Sequence, residues 1–158
     1  MTTDIKRRIF LKGSVAAGML GAAASTGLLI PQAAFAEWPK DAFATKKLDE
    51  AVKALLGSGD MAESGDIKIK APDIAENGAV VPVTVQTDME GVTNIAILAP
   101  ENNTPLVAAF ELGKNTLGFV STRIKMGKTG DVIAVVKAGD KIYTAKKQVK
   151  VTIGGCGG

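Results

Sequence analysis

Val132-Ile133-Ala134-Val135-Val136-Lys137-Ala138-Gly139-Asp140-Lys141-Ile142-Tyr143 is the stretch on which the fold turns. β-Branched and apolar residues run up to Ala138. Gly139-Asp140 has the composition of a two-residue hairpin loop, and a second extended segment begins at Lys141. Strands joined by so short a loop are antiparallel. The second segment closes the domain through Val149-Lys150-Val151-Thr152-Ile153, apolar at every second position, and runs into Gly154-Gly155-Cys156-Gly157-Gly158.

Upstream of the hairpin the same signals repeat. Ile67 and Ile69 alternate with lysines up to Pro72, and Glu76-Asn77-Gly78 marks a turn. Val81, Val83 and Val85 share one face of a strand, in which Pro82 requires an edge position or a bulge. Val92 to Leu98 is a strand closed by Pro100, and Glu101-Asn102-Asn103-Thr104-Pro105 is a turn. Leu106, Ala108, Phe110 and Leu112 alternate. Leu117 to Met126 forms a long strand with Val120, Thr122, Ile124 and Met126 on one side, and Gly127 to Asp131 turns the chain. About seven short strands with regular turns predict a mainly β fold, an immunoglobulin-like antiparallel β-sandwich. One short helix precedes it. Asp41 is its expected N-cap, Phe43, Leu48, Ala51, Val52, Leu55 and Leu56 form its apolar face, and Gly57 is its stop. This helix is expected to cover a sheet or a partner.

The amino-terminal segment has a different character. Arg7-Arg8, followed by Phe10-Leu11-Lys12, opens a run of small and apolar residues from Val15 to Ile30, and Ala34-Phe35-Ala36 is a small-x-small cleavage site before Glu37. Paired arginines in this setting match a twin-arginine export signal, with Lys6 where Ser or Thr is commoner. Gly18, Gly21, Ser25, Thr26 and Gly27 make the run too polar for a good spanning helix, so no membrane anchor is expected after cleavage. The expected organisation is a signal peptide over 1–36, lead-in and amphipathic helix over 37–65, β-sandwich over 66–153 and a carrier arm over 154–158. The expected location is the periplasm.

Charge follows this division. The chain carries 19 basic and 16 acidic residues. The signal holds four of the cations (Lys6, Arg7, Arg8, Lys12) and one of the anions (Asp4), which leaves 15 of each in the 122 residues from Glu37 on. A neutral domain has no retained basic patch for nucleic acid.

The residues the chain lacks narrow its chemistry. It has no histidine and one cysteine, Cys156. That removes the usual general base, a Cys-His pair, and any Cys-x-x-Cys zinc, haem or redox motif. Gly127-Lys128-Thr129 matches only the tail of a phosphate loop and reads as a turn. No bound cofactor or metal is expected.

Gly154, Gly155, Gly157 and Gly158 bracket the one thiol. Glycine opens backbone space and gives the thiol access to narrow sites. Five residues reach at most roughly 17 Å. Fixing their backbones in a partner costs about 5–10 kcal/mol, which favours brief docking. A free thiol is only roughly a few per cent thiolate at neutral pH, and no activator accompanies this one. The expected role is a carrier acted on by other enzymes rather than an enzyme. An intermolecular disulfide through Cys156 in an exported interaction module is the alternative. A stand-alone thiol oxidoreductase is a weaker third, since the thiol has neither a resolving cysteine nor a histidine.

The twin-arginine signal, the helix-plus-sandwich domain and the ending Val151-Thr152-Ile153-Gly154-Gly155-Cys156-Gly157-Gly158 resemble the SoxY family, the sulfur-carrier subunits of bacterial sulfur oxidation. Pro72 to Val83 and Ser121 to Met126 resemble that family as well. The resemblance implies that Cys156 carries covalent sulfur intermediates of thiosulfate oxidation. It implies a heterodimer with SoxZ and transient visits to the haem-containing SoxAX, to SoxB, and to SoxCD where present. It also suggests that the chain folds with SoxZ and carries that subunit across the membrane, since the twin-arginine route exports folded proteins.

Overall fold

The computed structural model describes residues 39–152. Arg7, Arg8, the Ala36–Glu37 junction, Cys156 and its four glycines lie outside the described residues. The chain divides into two units at Trp38/Pro39, and everything described below belongs to the second.

Two short helices, α1 (Lys40–Ala44) and α2 (Leu48–Leu56), come first. The stretch expected to be one helix is broken at Thr45–Lys47. Thr45 is extended (ψ 149°), and its hydroxyl accepts from the Lys47 N–H at 3.4 Å and donates to Glu50 Oε2 at 3.1 Å. Such local side-chain bonds compete with helix continuation. Asp41 is not the cap: Pro39 occupies that position and Asp41 lies in the first turn. Gly57 ends α2 as expected, at φ 83° in the left-handed region, its N–H donating to the Lys53 carbonyl.

The strands are β1 (Ala62–Glu63), β2 (Ile67–Lys70), β3 (Ile74–Ala75), β4 (Val81–Thr87), β5 (Val92–Leu98), β6 (Leu106–Glu111), β7 (Gly118–Ile124), β8 (Gly130–Ala138) and β9 (Lys141–Val151). They form two sheets, with order β1-β9-β8-β5-β6 in the larger, which β3 joins through β9, and β2-β4-β7 in the smaller. The β8–β9 hairpin runs from Gly130↔Val149 to Ala138↔Lys141 through Gly139-Asp140. Gly139 has φ 58°, as the first central residue of a tight hairpin loop requires. The two sheets pack as the expected immunoglobulin-like sandwich.

The core between the sheets takes alternate residues from both: Val81, Val83 and Val85 from β4, Val120 and Ile124 from β7, Ile95 and Ile97 from β5, and Val132, Ala134 and Val136 from β8. Their neighbours Ala96, Leu98 and Val135 face the other way and pack with Ala42, Ala51, Val52 and Leu56 of the helices. The larger sheet is therefore covered on both faces. This is why β5 and β8 read as continuous apolar runs, whereas the smaller sheet shows clean alternation. Each fully buried isoleucine or leucine contributes about 1.5–3 kcal/mol of transfer free energy.

Two expectations on phase are corrected. Leu106 does not share a face with Ala108 and Phe110. It pairs Leu98 while Ala108 pairs Ile97, so an extra residue, Val107, makes a bulge, and Leu106 packs in the helix-facing cluster. Leu117 is not part of β7, which begins at Gly118, and it stands 81% exposed. Pro82 occupies a local edge without a bulge. β4 is the central strand of its sheet, but β2 reaches only as far as Thr84, so at Pro82 only β7 lies alongside.

Candidate functional site

The sequence assigns the chemistry to Cys156. The described residues reach the C-terminal end of β9 and Thr152, four residues before that cysteine. This end is gripped along both edges. On one edge β3 runs parallel to it, with Ile74 beside Lys150 and Ala75 beside Val151. The Lys150 N–H donates to the Asp73 carbonyl at 2.9 Å, and the Thr152 N–H donates to the Ala75 carbonyl at 3.1 Å. The Thr152 hydroxyl donates to the same carbonyl at 3.4 Å. On the other edge, beyond the last β8 pair, a side chain continues the ladder. Thr129 Oγ1 accepts from the Val151 N–H at 2.9 Å and donates to the Val151 carbonyl at 3.3 Å.

The segment that forms β3 is itself tied down. Lys147 Nζ donates to the Ala71 carbonyl at 2.7 Å and lies 3.1 Å from Asp73 Oδ1. After β3 the chain turns at Asn77, whose Oδ1 accepts from the Ala79 N–H at 2.9 Å. Gly78 then passes close to two neighbours. Its carbonyl accepts from the Met126 N–H at 2.7 Å. A Cβ at Gly78 would overlap the Met126 carbonyl oxygen and come within 2.8 Å of Val151 Cγ1. Glycine is required there for the approach of three chain segments rather than for its φ. The two internal stretches that carry the family resemblance meet at this contact.

Chemically, this end can do one thing. It gives a rigid point of departure, Thr152, for whatever follows. Thr152 stands four residues before the thiol, and the glycine-rich segment begins two residues before it, at Gly154. Around the root Ile74 and Val80 are about half exposed, at 57% and 50%. Among the described residues no group of three acidic side chains is placed to hold a metal.

Of the residues singled out from sequence, the structure therefore places none of the thiol, the glycines, Arg7, Arg8, Ala36 or Glu37. The residues that hold the root, Thr129, Ala75, Gly78 and Lys147, were missed as site residues. Glu76-Asn77-Gly78 and Gly127-Lys128-Thr129 were legible as turns, but nothing local to them signals contact with Val151.

The family model described as sulfur oxidation protein SoxY matches residues 52–156, from the middle of α2 through the cysteine. Among solved structures, the sulfur carrier protein SoxY from Chlorobium limicola f thiosulfatophilum is 51% identical, covering 68% of this chain and 97% of that chain with a TM-score of 0.62. A chain from work on T cell specificity and activation by the bacterial superantigen toxic shock syndrome toxin-1 aligns over 54% of this chain and 99% of its own. At 11% identity and a TM-score of 0.39 it carries no weight. No curated protein matches the chain.

Proposed function

This chain belongs to the SoxY family of sulfur oxidation proteins, and on that premise we propose that it carries sulfur intermediates covalently on Cys156 during periplasmic thiosulfate oxidation. The observation that carries the reading is the extent of the family match, which runs through the clamped end of β9 to Cys156 itself. A strand held on both edges up to Thr152, followed by a thiol between paired glycines, supports an arm that pivots at a defined point.

The chemistry balances if partners supply the redox and hydrolytic steps. In the first, the Cys156 sulfur bonds to the outer sulfur of thiosulfate, and a proton and two electrons leave, the electrons to the haem of SoxAX. The thiosulfonate formed is cleaved by water at its terminal sulfur–sulfur bond in SoxB. Sulfate departs, and the sulfane sulfur stays on Cys156. SoxCD, where present, oxidises that sulfur further. The chain itself supplies the nucleophilic sulfur, its reach and its presentation, and it binds no cofactor of its own. SoxZ is the proposed stable partner, and the twin-arginine signal with Arg7 and Arg8 the proposed route to the periplasm. A SoxZ without a signal that still reached the periplasm in cells lacking this chain would rule out co-export.

The deciding experiment is the intact mass of the protein purified without reductant from thiosulfate-grown cells, repeated after reduction. Reducible sulfur or sulfur–oxygen adducts mapping to the peptide with Cys156 are expected. A free thiol throughout, or only a protein–protein disulfide, would refute the carrier and favour the crosslinking module. Cys156→Ser is expected to abolish loading and thiosulfate turnover completely while leaving the sandwich folded.

A further inference from the structure

The chain holds five asparagines, Asn77, Asn94, Asn102, Asn103 and Asn115, and only Asn77 is followed by glycine. Asn77 is exposed, in the turn between β3 and β4. Its Oδ1 accepts from the Ala79 N–H at 2.9 Å, which folds the carboxamide back over the following backbone and draws electron density from Cγ. The Asn77 carbonyl accepts from the Val80 N–H at 3.3 Å, so two bonds hold the turn in this shape. The Gly78 N–H takes part in no hydrogen bond among the described residues. Its nitrogen is free to lose a proton and attack the Asn77 carboxamide.

Gly78 has no side chain to crowd the ring that such an attack closes, and none can be introduced. A Cβ there would overlap the Met126 carbonyl oxygen and come within 2.8 Å of Val151 Cγ1. The fold therefore keeps the reactive pair. At the other four asparagines the next residue is Ile95, Asn103, Thr104 or Thr116, whose side chain stands beside the closing ring. Both ends of the Asn102 amide are also engaged, at the Lys125 carbonyl and the Gly127 N–H.

We propose that Asn77 is a self-modification site, at which the Gly78 nitrogen displaces ammonia and the isoaspartyl product detaches Gly78 from Met126. The bond from the Gly78 nitrogen to Cγ forms as the Cγ–Nδ2 bond breaks, and the Gly78 proton leaves with the ammonia. Water then opens the five-membered imide. Cleavage between the nitrogen and Cγ gives ordinary aspartate. Cleavage between the nitrogen and the main-chain carbonyl carbon gives isoaspartate, in which the chain runs through Cβ and Cγ. No oxidant or cofactor is consumed, and neither Cys156 nor the carrier reading is required.

The two products differ in consequence. Aspartate keeps an oxygen that accepts from the Ala79 N–H. Isoaspartate adds a methylene to the main chain just before Gly78. That residue is packed too closely to absorb the extra length in place, so the bond from the Met126 N–H to its carbonyl, 2.7 Å, gives way.

The test incubates the full folded chain in mildly alkaline buffer. Peptides are mapped by mass, and an isoaspartyl methyltransferase separates the two products. The expected result is conversion at Asn77 with isoaspartate present, while the other four asparagines stay intact over the same period. Conversion is expected to quicken as pH rises, because the attacking nitrogen must lose its proton. Asn77→Ser, whose hydroxyl can accept from the Ala79 N–H but cannot cyclise, is expected to abolish it. In the isoaspartyl fraction, amide exchange at Met126 is expected to be roughly two- to tenfold faster, the worth of one net hydrogen bond, and unchanged at Val135. Asn77→Asp serves as the reference for the aspartate product and is expected to keep Met126 protected.

No conversion at Asn77, conversion only after unfolding in denaturant, or equal conversion at the other asparagines overturns the site. Isoaspartate at Asn77 with Met126 still fully protected overturns the detachment.

Discussion

Replacing Thr129 with valine removes a single oxygen, and with it the two side-chain hydrogen bonds that hold the Val151 backbone on the β8 edge of β9. That oxygen accepts from the Val151 N–H at 2.9 Å and donates to the Val151 carbonyl at 3.3 Å. Valine keeps the β-branched shape, so the change falls on the hydrogen bonds. Each is worth about 0.5–1.5 kcal/mol net, and Thr129 is exposed, which puts the pair at about 1–2 kcal/mol. That is a factor of about 5–30 in the local opening equilibrium. Val151 keeps its place beside Ala75 on the other edge, so opening is confined to the strand end and global stability barely moves. Native-state amide hydrogen exchange reads this directly. Protection at the Val151 N–H is expected to fall by about that factor, while Val135 and Val149, inside the β8–β9 ladder, keep theirs. Unchanged protection at Val151 would refute the claim that Thr129 fixes the root. Equal losses at Val135 would mean that the variant acts on the whole domain.

Other substitutions probe the same framework. Gly78→Ala pushes a methyl into the Met126 carbonyl and Val151, and is expected to destabilise the domain by about 1–3 kcal/mol in denaturant unfolding, with the loss concentrated near the root. Ile97→Ala empties a fully buried site between the sheets and is expected to cost about 2–5 kcal/mol by the same assay. Leu117→Ser, at a residue 81% exposed before β7, is expected to shift stability by less than about 0.5 kcal/mol; a larger loss would show that Leu117 is covered.

Much of this fold was legible because its signals are local. The Gly139-Asp140 loop between two extended runs announces a hairpin. Val81-Val83-Val85 and Val120-Ile124 declare their buried face by alternation, because only one side of the smaller sheet is covered. The runs 95–99 and 132–136 gave strands but no face. Both faces are buried there, and no periodicity distinguishes the side toward the helices. The bulge at Val107 put Leu106 out of phase with Ala108, an effect that arises from the pairing with β5 and leaves no mark in β6 itself. In the helical stretch the apolar spacing was right, and the interruption at Thr45 came from a hydroxyl that bonds the backbone instead.

For the candidate site the division is sharper. The sequence alone carries the features on which the proposed chemistry rests: one thiol, no histidine, paired glycines on each side and paired arginines ahead of a small-residue apolar run. These are properties of residue types and their neighbours along the chain. Tertiary structure alone decided where β9 ends its pairing with β3 and Thr129 and what surrounds that end. β3 is two residues long, too short to show a period, and becomes a strand only because β9 lies beside it. Thr129 meets Val151 across 22 positions, and Asn102 of the β5–β6 loop bonds Lys125 and Gly127 of the loop between β7 and β8. Such contacts follow from the packing of segments distant in sequence, and the residues involved carry no local pattern that anticipates them.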